Sequence, residues 1–303
     1  MGTSDFGLQS AEAILEKGHS IISVVTVPDK PQGRGLHLLS SPVKGWALAH
    51  HLPILQPTNL REPQFITTIQ SLAPDIIIVI AFRILPKEIF TLAKRGTFNL
   101  HASLLPKYRG AAPIQWALIN GEHETGVTTF FLQEKVDTGN IVVQEKITVD
   151  DRMTYGELHA QLAKLGTDAV IRTIELIEIG GIIPAIQDDT LGTTAPKITT
   201  EICRIDWKKS ANEIHNLIRA LSPAPGAWTT LHDHSMKIFL SAPSDTSKPD
   251  SLPGTCSTDG SVLHVQTGRG TLEIIEAQRE GRKRMKAANL IDGRNVKNGD
   301  ILI

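Results

Sequence analysis

Short apolar runs alternate with segments of helical periodicity over the first half of this chain. Ser20–Val27 ("SIISVVTV") is rich in β-branched residues, which indicates a strand. Asp75–Phe82 ("DIIIVIAF") is apolar without polar alternation, as expected for a strand covered on both faces of a parallel sheet. Between them, Ser41 and Pro42 open a helical pattern as N-cap and first helical residue. The pattern predicts an α/β fold with a doubly wound, mainly parallel sheet.

The same patterns predict the remaining elements of this sheet. We expect helices at 62–73 and 154–180, and a third that begins at Pro86 and is closed by Gly96. We expect further strands at "LPIL", "TFNLH", "GVTTFFLQ" and "IVVQEKITV". Ligands of such sheets bind outside the carboxyl ends of the strands, so the residues that end "TFNLH" are candidates for a site.

The chain of 303 residues is longer than an ordinary single domain. Its regular pattern is interrupted by a polar, Gly- and Pro-rich sequence, and we interpret residues 181–203 as a linker. Beyond it, one helix is followed by short strands at turn-punctuated spacing, which is typical of a small β-barrel. We therefore predict a first domain at residues 1–180 and a second at residues 204–303.

The beginning of the chain departs from this pattern. A doubly wound sheet normally opens on an apolar strand, whereas "MGTSDFG" resembles the turn that would follow one. We expect that a native first strand is missing from this sequence, through truncation or an incorrectly assigned start.

The composition is that of a globular protein, with 41% apolar and 21% charged residues. No apolar run approaches the length of about 18 residues that a membrane helix requires, and no secretory signal pattern opens the sequence. Cys203 and Cys256 lack the spacing of a metal site, so we interpret them as reduced thiols. We expect a cytoplasmic protein without a metal and without a membrane partner.

The charges are distributed unequally along the chain. Residues 204–303 contain 14 basic and 11 acidic residues, a net charge of +3, whereas residues 1–203 carry −4. Basic residues concentrate late in the sequence, at Arg279, Arg282, Lys283, Arg284 and Lys286. This cluster is either a solvated face or a surface that binds phosphates.

Three polar residues could carry chemistry. Asn99 and His101 end the predicted strand "TFNLH" and face the same side, because side chains alternate along a strand. Asp137 lies in the loop "VDTGN" and could orient the imidazole. An amide and an imidazole suit a reaction in which negative charge builds up on a carbonyl oxygen. A packing role for His101 and a simple turn at Asp137 are the alternatives that the pattern leaves open.

Two longer motifs contain these residues. "NLHASLLPKYRGAAPIQ" together with "GVTTFFLQEKVDTGNI" resembles the signature of the folate-dependent formyltransferases. The continuation "RGAAPIQWALING", the loop "PDKPQGRG" and the second domain resemble the branch of that family that acts on methionyl-tRNA, and the resemblance covers nearly the whole chain. It implies transfer of a formyl group from formyltetrahydrofolate to the amino group of methionine on initiator tRNA.

The resemblance also implies roles for individual residues. Asn99, His101 and Asp137 match the catalytic residues of the family, which use no metal. The residues that match its folate pocket are Phe82, Arg83, Ile84, Leu85, Ser103, Leu104, Leu105, Pro106, Val136 and Gly139.

Binding of tRNA is implied at two places. The loop Asp29–Lys44 occupies the position of a basic loop that contacts the acceptor stem, and Lys30, Arg34 and Lys44 match it. Leu36-His37 departs from this basic pattern. The second domain resembles the OB-like tRNA-binding domain of the family, in which Arg282, Lys283 and Arg284 would contact phosphates.

Two other functions remain open. The chain could be a folate-dependent N-formyltransferase that acts on an amino-sugar nucleotide or a purine precursor, because such enzymes share the fold. It could also be a non-catalytic RNA-binding or folate-sensing protein built on the same scaffold. We expect no DNA partner, since the net charge of −1 argues against a general binder of polyanions.

Overall fold

The computed structural model describes residues 1–32, 37–244 and 251–303. The chain forms two compact units, of which the first comprises Met1–Pro113, Thr125–Ile147 and His159–Ala195. The second comprises Ile114–Glu124, Thr148–Leu158 and Pro196–Ile303. The second unit thus includes two early segments, both of which lie within the predicted first domain at residues 1–180. The predicted domain boundaries stay a prediction.

Helices and strands are interspersed up to residue 195. The helices are α1 (Leu8–Glu16), α2 (Pro42–Ala49), α3 (Pro63–Leu72), α4 (Lys87–Phe90), α5 (Pro113–Ile119) and α6 (Tyr155–Ile179). The strands are β1 (Val24–Val25), β2 (Lys30–Gln32), β3 (His37–Leu39), β4 (Ile54–Leu55), β5 (Ile77–Ile80), β6 (Thr97–His101), β7 (Arg109–Gly110), β8 (Glu124–Phe131), β9 (Ile141–Thr148) and β10 (Thr194–Ala195).

The central sheet has the order β5-β6-β8-β9, with β5 and β6 parallel and β8 antiparallel to β6. A second parallel pair is formed by β1 and β4. Gly2 lies between these groups: its N–H donates to the oxygen of Val25 at 3.0 Å, and it forms a parallel bridge with Ile80. The α/β fold predicted from the hydrophobic pattern is confirmed, and the carboxyl end of β6 carries His101.

The start of α2 follows the predicted chemistry. Pro42 is the first helical residue, and the Ser41 hydroxyl accepts a hydrogen bond from the N–H of Lys44 at 3.0 Å. In contrast, α4 ends at Phe90, well before the predicted end at Gly96. The N–H groups of Lys94 and Arg95 donate to the oxygens of residues 74 and 75, so they are not available to prolong the helix.

The segment interpreted as a linker contains regular structure. Within it, β10 pairs in parallel with β7, and a short 3-10 helix occupies Asp189–Leu191. This pairing ties residues 194–195 to the turn that follows the "SLLP" sequence, so this part of the segment belongs to the first unit.

The second unit is built on an antiparallel sheet. Its strands are β11 (Ala227–Leu231), β12 (His234–Ser244), β13 (Cys256–Asp259), β14 (Val262–Gln266), β15 (Thr271–Arg279) and β16 (Met285–Lys286), in the order β11-β12-β15-β14-β13, with β16 beside β15. The helices are α7 (Ala211–Ala220) and α8 (Ala287–Asp292). A capping box between Ser210 and Glu213 starts α7, and Ile214 and Ile218 on this helix are buried in the core together with Leu263 and Leu272 from the sheet.

None of the helices in the described part of the chain is long and apolar enough to span a bilayer.

Candidate active site

His101 ends β6 in a buried position, with 7% of its surface exposed. Its Nε2 atom lies 2.8 Å from the backbone oxygen of Tyr108. Its Nδ1 atom lies 3.9 Å from Oδ2 of Asp137, which is too long for a hydrogen bond and within the range of an ion pair. Residues separated by 36 positions in the sequence are therefore neighbours at the end of the strand, as predicted.

Asn99 precedes His101 by two residues on β6, so both side chains project from the same face of the strand. Asn99 is half-buried. No side chain or backbone group of the described residues forms a hydrogen bond with its amide. The amide N–H₂ is therefore available as a donor to a ligand beside His101.

A tight loop fixes the position of Asp137. Asp137 adopts a left-handed conformation with φ 54°, and its Oδ2 atom accepts a hydrogen bond from the N–H of Gly110 at 2.8 Å. Gly139 lies so close to the strand that a Cβ atom there would be 1.6 Å from the oxygen of Phe131. Only glycine fits at this position, and the loop is thereby held against β8. Val136, in the same loop, is exposed.

The "SLLP" turn is tied to the sheet by Thr128, which pairs with His101 in the register of β6 and β8. The Thr128 hydroxyl donates to the oxygen of Ser103 at 2.6 Å and accepts from the N–H of Leu105 at 3.1 Å. Ser103 and Leu105 are buried, whereas Leu104 and Pro106 are partly exposed. The side chains of Leu104 and Pro106 are consequently the ones that this turn can offer to a ligand.

In the loop after β5, too, some side chains are held by the protein and another is exposed. The Arg83 guanidinium donates to the oxygens of Pro57 at 2.8 Å and Thr58 at 3.0 Å, and it lies over the ring of Phe82 at 5.2 Å. Burial lowers the pKa of Arg83. Leu85 is buried, while Ile84 is 72% exposed and lines a cavity of about 630 Å³. Arg83 and Leu85 hold the loop, and Ile84 presents an apolar surface.

The basic residues predicted to contact tRNA fall into three groups. Lys30 and the turn residues Arg282 and Lys283 are exposed. Two others are engaged: the Lys44 ammonium donates to Asp29 at 2.6 Å, and Arg284 pairs with Glu276 and lies 4.4 Å from the centre of the Phe239 ring. The hydrogen bond from Lys44, with a further one from Gln56, lowers the pKa of Asp29. Arg34 lies outside the described residues.

Three residues that contribute to this region were not anticipated from the sequence. They are Thr128, Arg109 and Gln187, and the last two are joined by hydrogen bonds from the guanidinium to the amide oxygen at 2.7 and 3.2 Å. A signal for Arg109 was present in the "YRG" motif that follows the turn. Gln187 lies in a stretch without periodicity and had none.

The geometry provides amide, imidazole and carboxylate groups near the end of one strand, with the imidazole buried and the other two groups partly exposed. Such groups can donate to an oxygen that becomes negative and can move a proton. Among the described residues, no group of three or more His, Cys, Asp or Glu side chains has the arrangement of a metal site.

Comparisons with known proteins agree with this chemistry. Residues 1–174 match the family model described as formyl transferase, and residues 197–295 match the formyl transferase C-terminal domain. Methionyl-tRNA formyltransferase of Azobacteroides pseudotrichonymphae is 44% identical over 305 residues, covering 97% of this chain and 94% of the relative. The enzyme of the same name from Clostridioides difficile is 40% identical and covers 100% of this chain and 98% of its own length.

A solved structure shares the fold. The N-formyltransferase of Helicobacter canadensis, in complex with folinic acid and dTDP-3-aminofucose, superposes with a TM-score of 0.66 at 22% identity, covering 92% of this chain and 97% of that one. Two relatives that are 40–44% identical extend over nearly the whole length of this chain, and two parts of the chain match formyl transferase domains. The chain therefore belongs to the methionyl-tRNA formyltransferase family.

Proposed function

We propose that this chain transfers a formyl group from formyltetrahydrofolate to the amino group of methionine esterified to initiator tRNA. The reaction yields formylmethionyl-tRNA for the initiation of translation. The observation that carries the proposal is the 3.9 Å approach of Asp137 to His101, in a chain that is 40–44% identical to methionyl-tRNA formyltransferases.

The transfer is direct. The neutral amine attacks the formyl carbon, a C–N bond forms, and the carbonyl electrons move onto oxygen to give a tetrahedral oxyanion. Collapse of this intermediate breaks the bond between the formyl carbon and the folate nitrogen. The proton lost by the amine replaces the formyl group on that nitrogen, so atoms and charge balance.

The roles of the three polar residues follow from their positions. The Asn99 amide donates to the oxyanion, since no described residue competes for it. His101 donates from Nδ1 when protonated, because its Nε2 faces the oxygen of Tyr108. Asp137 stabilises the charged imidazole and, through water, helps to move the proton from the amine to the leaving nitrogen.

We also propose which of the surfaces described above bind the substrates. We propose that the pterin side of the folate binds along Phe82–Leu85, and that its formyl end is held by residues Ser103–Pro106, Val136 and Gly139. The residues that would contact tRNA phosphates are Lys30, Arg34, Lys44 and the turn Arg282–Arg284. Lys30, Arg282 and Lys283 suit this role best, because they are exposed and, unlike Arg284, form no ion pair with a described residue.

The protein is proposed to work in the cytoplasm. Cys203 and Cys256 are both free and buried, which fits a reducing compartment.

The experiment that tests the function offers formyltetrahydrofolate together with one acceptor at a time: methionyl initiator tRNA, methionyl elongator tRNA or a dTDP-linked amino sugar. We expect formylation of the initiator tRNA in preference to the other two. Preferential formylation of the amino sugar would replace the proposed acceptor, and absence of transfer to any acceptor would indicate a non-catalytic protein.

A further inference from the structure

Gln187 joins three separate parts of the first unit. The residue is buried, with 8% of its surface exposed. Its Nε2 atom donates to the backbone oxygens of Asp137 at 3.0 Å and Gly139 at 2.7 Å. Its Oε1 atom accepts from Nη2 and Nε of Arg109 at 2.7 and 3.2 Å. The amide nitrogen thus donates two hydrogen bonds and the amide oxygen accepts two. A flipped amide group or a shorter side chain would lose part of these bonds.

The segment that carries Gln187 also fixes the donor to the Asp137 carboxylate. β10 pairs with Arg109–Gly110, and a Cβ atom at Gly110 would lie 2.6 Å from the oxygen of Ala195. The N–H of Gly110 in turn donates to Oδ2 of Asp137 at 2.8 Å. The backbone of the Asp137 loop and the hydrogen bond to its side chain thus depend on the same segment.

The Asp137 loop needs such support. Asp137 occupies a left-handed conformation that is unfavourable for a residue with a Cβ atom, and such a conformation persists only where surrounding contacts enforce it. Gln187 supplies two hydrogen bonds to this loop, one to the carbonyl oxygen of Asp137 itself and one to that of Gly139, two residues later. Without them the two carbonyl groups lose their donors, and the loop can relax away from His101.

We propose that Gln187 is a positioning residue, which holds the Asp137 carboxylate opposite the imidazole of His101. The inference rests on the proposed function, because it assumes that the paired Asp137 and His101 act in formyl transfer. Among the hydrogen bonds and ion pairs of the described residues, those of Gln187 go to Arg109, Asp137 and Gly139 and not to the imidazole, so Gln187 acts through the loop that it binds.

Asp189 provides a matched control, because it pairs with Arg109 on the exposed side of the network. The Nη2 atom of Arg109 also lies 2.7 Å from Oδ1 of Asp189, which is 61% exposed and which pairs with Lys135 at 3.5 Å. The hydrogen bond from Arg109 lowers the pKa of Asp189. Asp189→Asn removes this exposed ion pair and leaves the bonds from Gln187 to Asp137 and Gly139 in place.

The kinetic test compares Gln187→Met, Gln187→Glu and Asp189→Asn with the unchanged protein. Gln187→Met removes donors and acceptor, whereas Gln187→Glu keeps the acceptor for Arg109 and removes only the donors to the loop. We expect kcat to fall about tenfold or more in both Gln187 variants, since a displaced general acid or base has a cost of this order. KM for both substrates should stay within about twofold, and Asp189→Asn should behave as the unchanged protein.

A second readout does not require activity. The NMR resonances of the imidazole nitrogens of His101 report which group faces Nδ1. In Gln187→Glu these resonances should move toward the values seen in Asp137→Asn. In Asp189→Asn they should stay as in the unchanged protein. Should the unchanged protein show no formyl transfer, the proposed function fails, and these resonances still test the positioning. The positioning role would be overturned if the Gln187 variants kept the resonances and the kcat of the unchanged protein. It would also be overturned if their loss of activity only followed the fraction of unfolded protein measured by thermal melting.

Discussion

Nε2 of His101 lies 2.8 Å from the backbone oxygen of Tyr108. A carbonyl oxygen can only accept a hydrogen bond, so Nε2 carries a proton, and Nδ1 is the atom that gains and loses one. Nδ1 is also the atom that faces Asp137. The tautomer of the candidate catalytic histidine is therefore set by the main chain, and its reactive nitrogen is directed toward the carboxylate.

Replacement of Asn99 tests the proposed donor to the oxyanion. Asn99→Ala should lower kcat about a hundredfold or more, since one aligned donor contributes roughly 3 kcal/mol to such a transition state. Asn99→Asp keeps the size of the side chain and replaces the N–H₂ donor with an oxygen, so we expect an equal or larger loss. Steady-state rates of formyl transfer and tRNA affinity measured by filter binding provide the check. Unaltered turnover in Asn99→Ala would remove this residue from the mechanism.

Replacement of Asp137 tests the charge opposite His101. Asp137→Asn retains an oxygen that can accept from Gly110 and loses the negative charge, so kcat should fall on the order of a hundredfold while the loop stays in place. The matched control is Asp75→Asn, which removes an exposed carboxylate paired with Lys94. That variant should keep full activity. A control that loses activity to the same extent would mean that the effect is not specific to the site.

The variants Gly139→Ala and Gly45→Ala, taken together, distinguish the effect of steric crowding at the site from the general effect of adding a methyl group. Gly139→Ala would place a Cβ atom against the oxygen of Phe131, so the Asp137 loop must move, and we expect a large loss of activity. Gly45 lies inside α2, and a Cβ atom there meets nothing within 4 Å. Gly45→Ala should raise the free energy of unfolding by about 0.5–1 kcal/mol, which urea denaturation measures. Activity should be unchanged in Gly45→Ala.

The exposed basic turn can be tested through the salt dependence of tRNA binding. A double replacement of Arg282 and Lys283 by Gln should lower the slope of log K against log salt by about one per lost phosphate contact. Lys94 and Lys164, replaced together, form the control for the loss of two exposed positive charges. An unchanged slope in the Arg282/Lys283 variant would argue against this surface. Arg284 is left intact, because its ion pair with Glu276 makes it part of the fold.

His215 makes the stability of the second unit dependent on pH. Burial lowers its pKa below the ordinary value of 6.5, and its ring nitrogens contact Ser241 at 3.0 Å and the oxygen of Asp151 at 2.9 Å. The unfolded chain therefore binds a proton at a higher pH than the folded chain does. Stability is fully present above the unfolded value of 6.5 and is lost as the pH falls toward the folded pKa. The midpoints of urea denaturation measured above and below pH 6.5 should differ less in His215→Asn than in the unchanged protein.

Features that act within one element could be predicted from the sequence. The common side of Asn99 and His101 follows from the period of a strand, and their place at its end follows from the proline turn behind them. The cap at Ser41 follows from the preference of the first turn for a hydroxyl and a proline. Each of these features depends on residues only a few positions apart.

Contacts between distant segments could not be predicted in this way. Gln187 reaches Gly139 across 48 positions and Arg109 across 78, from a stretch without any periodicity. The ion pairs of Lys44 with Asp29 and of Arg284 with Glu276 are a second example, because a sequence does not show which carboxylate lies beside a basic side chain. These ion pairs are set by the packing of separate elements.

The pairing of β10 with β7 has a practical consequence for anyone who divides this protein. A fragment that stops at residue 180, where the sequence pattern first breaks, would retain Asn99, His101 and Asp137. It would lack the strand and the glutamine that brace the carboxylate. We expect such a fragment to be catalytically poor even if it folds, and a cut placed after residue 195 to preserve the site far better.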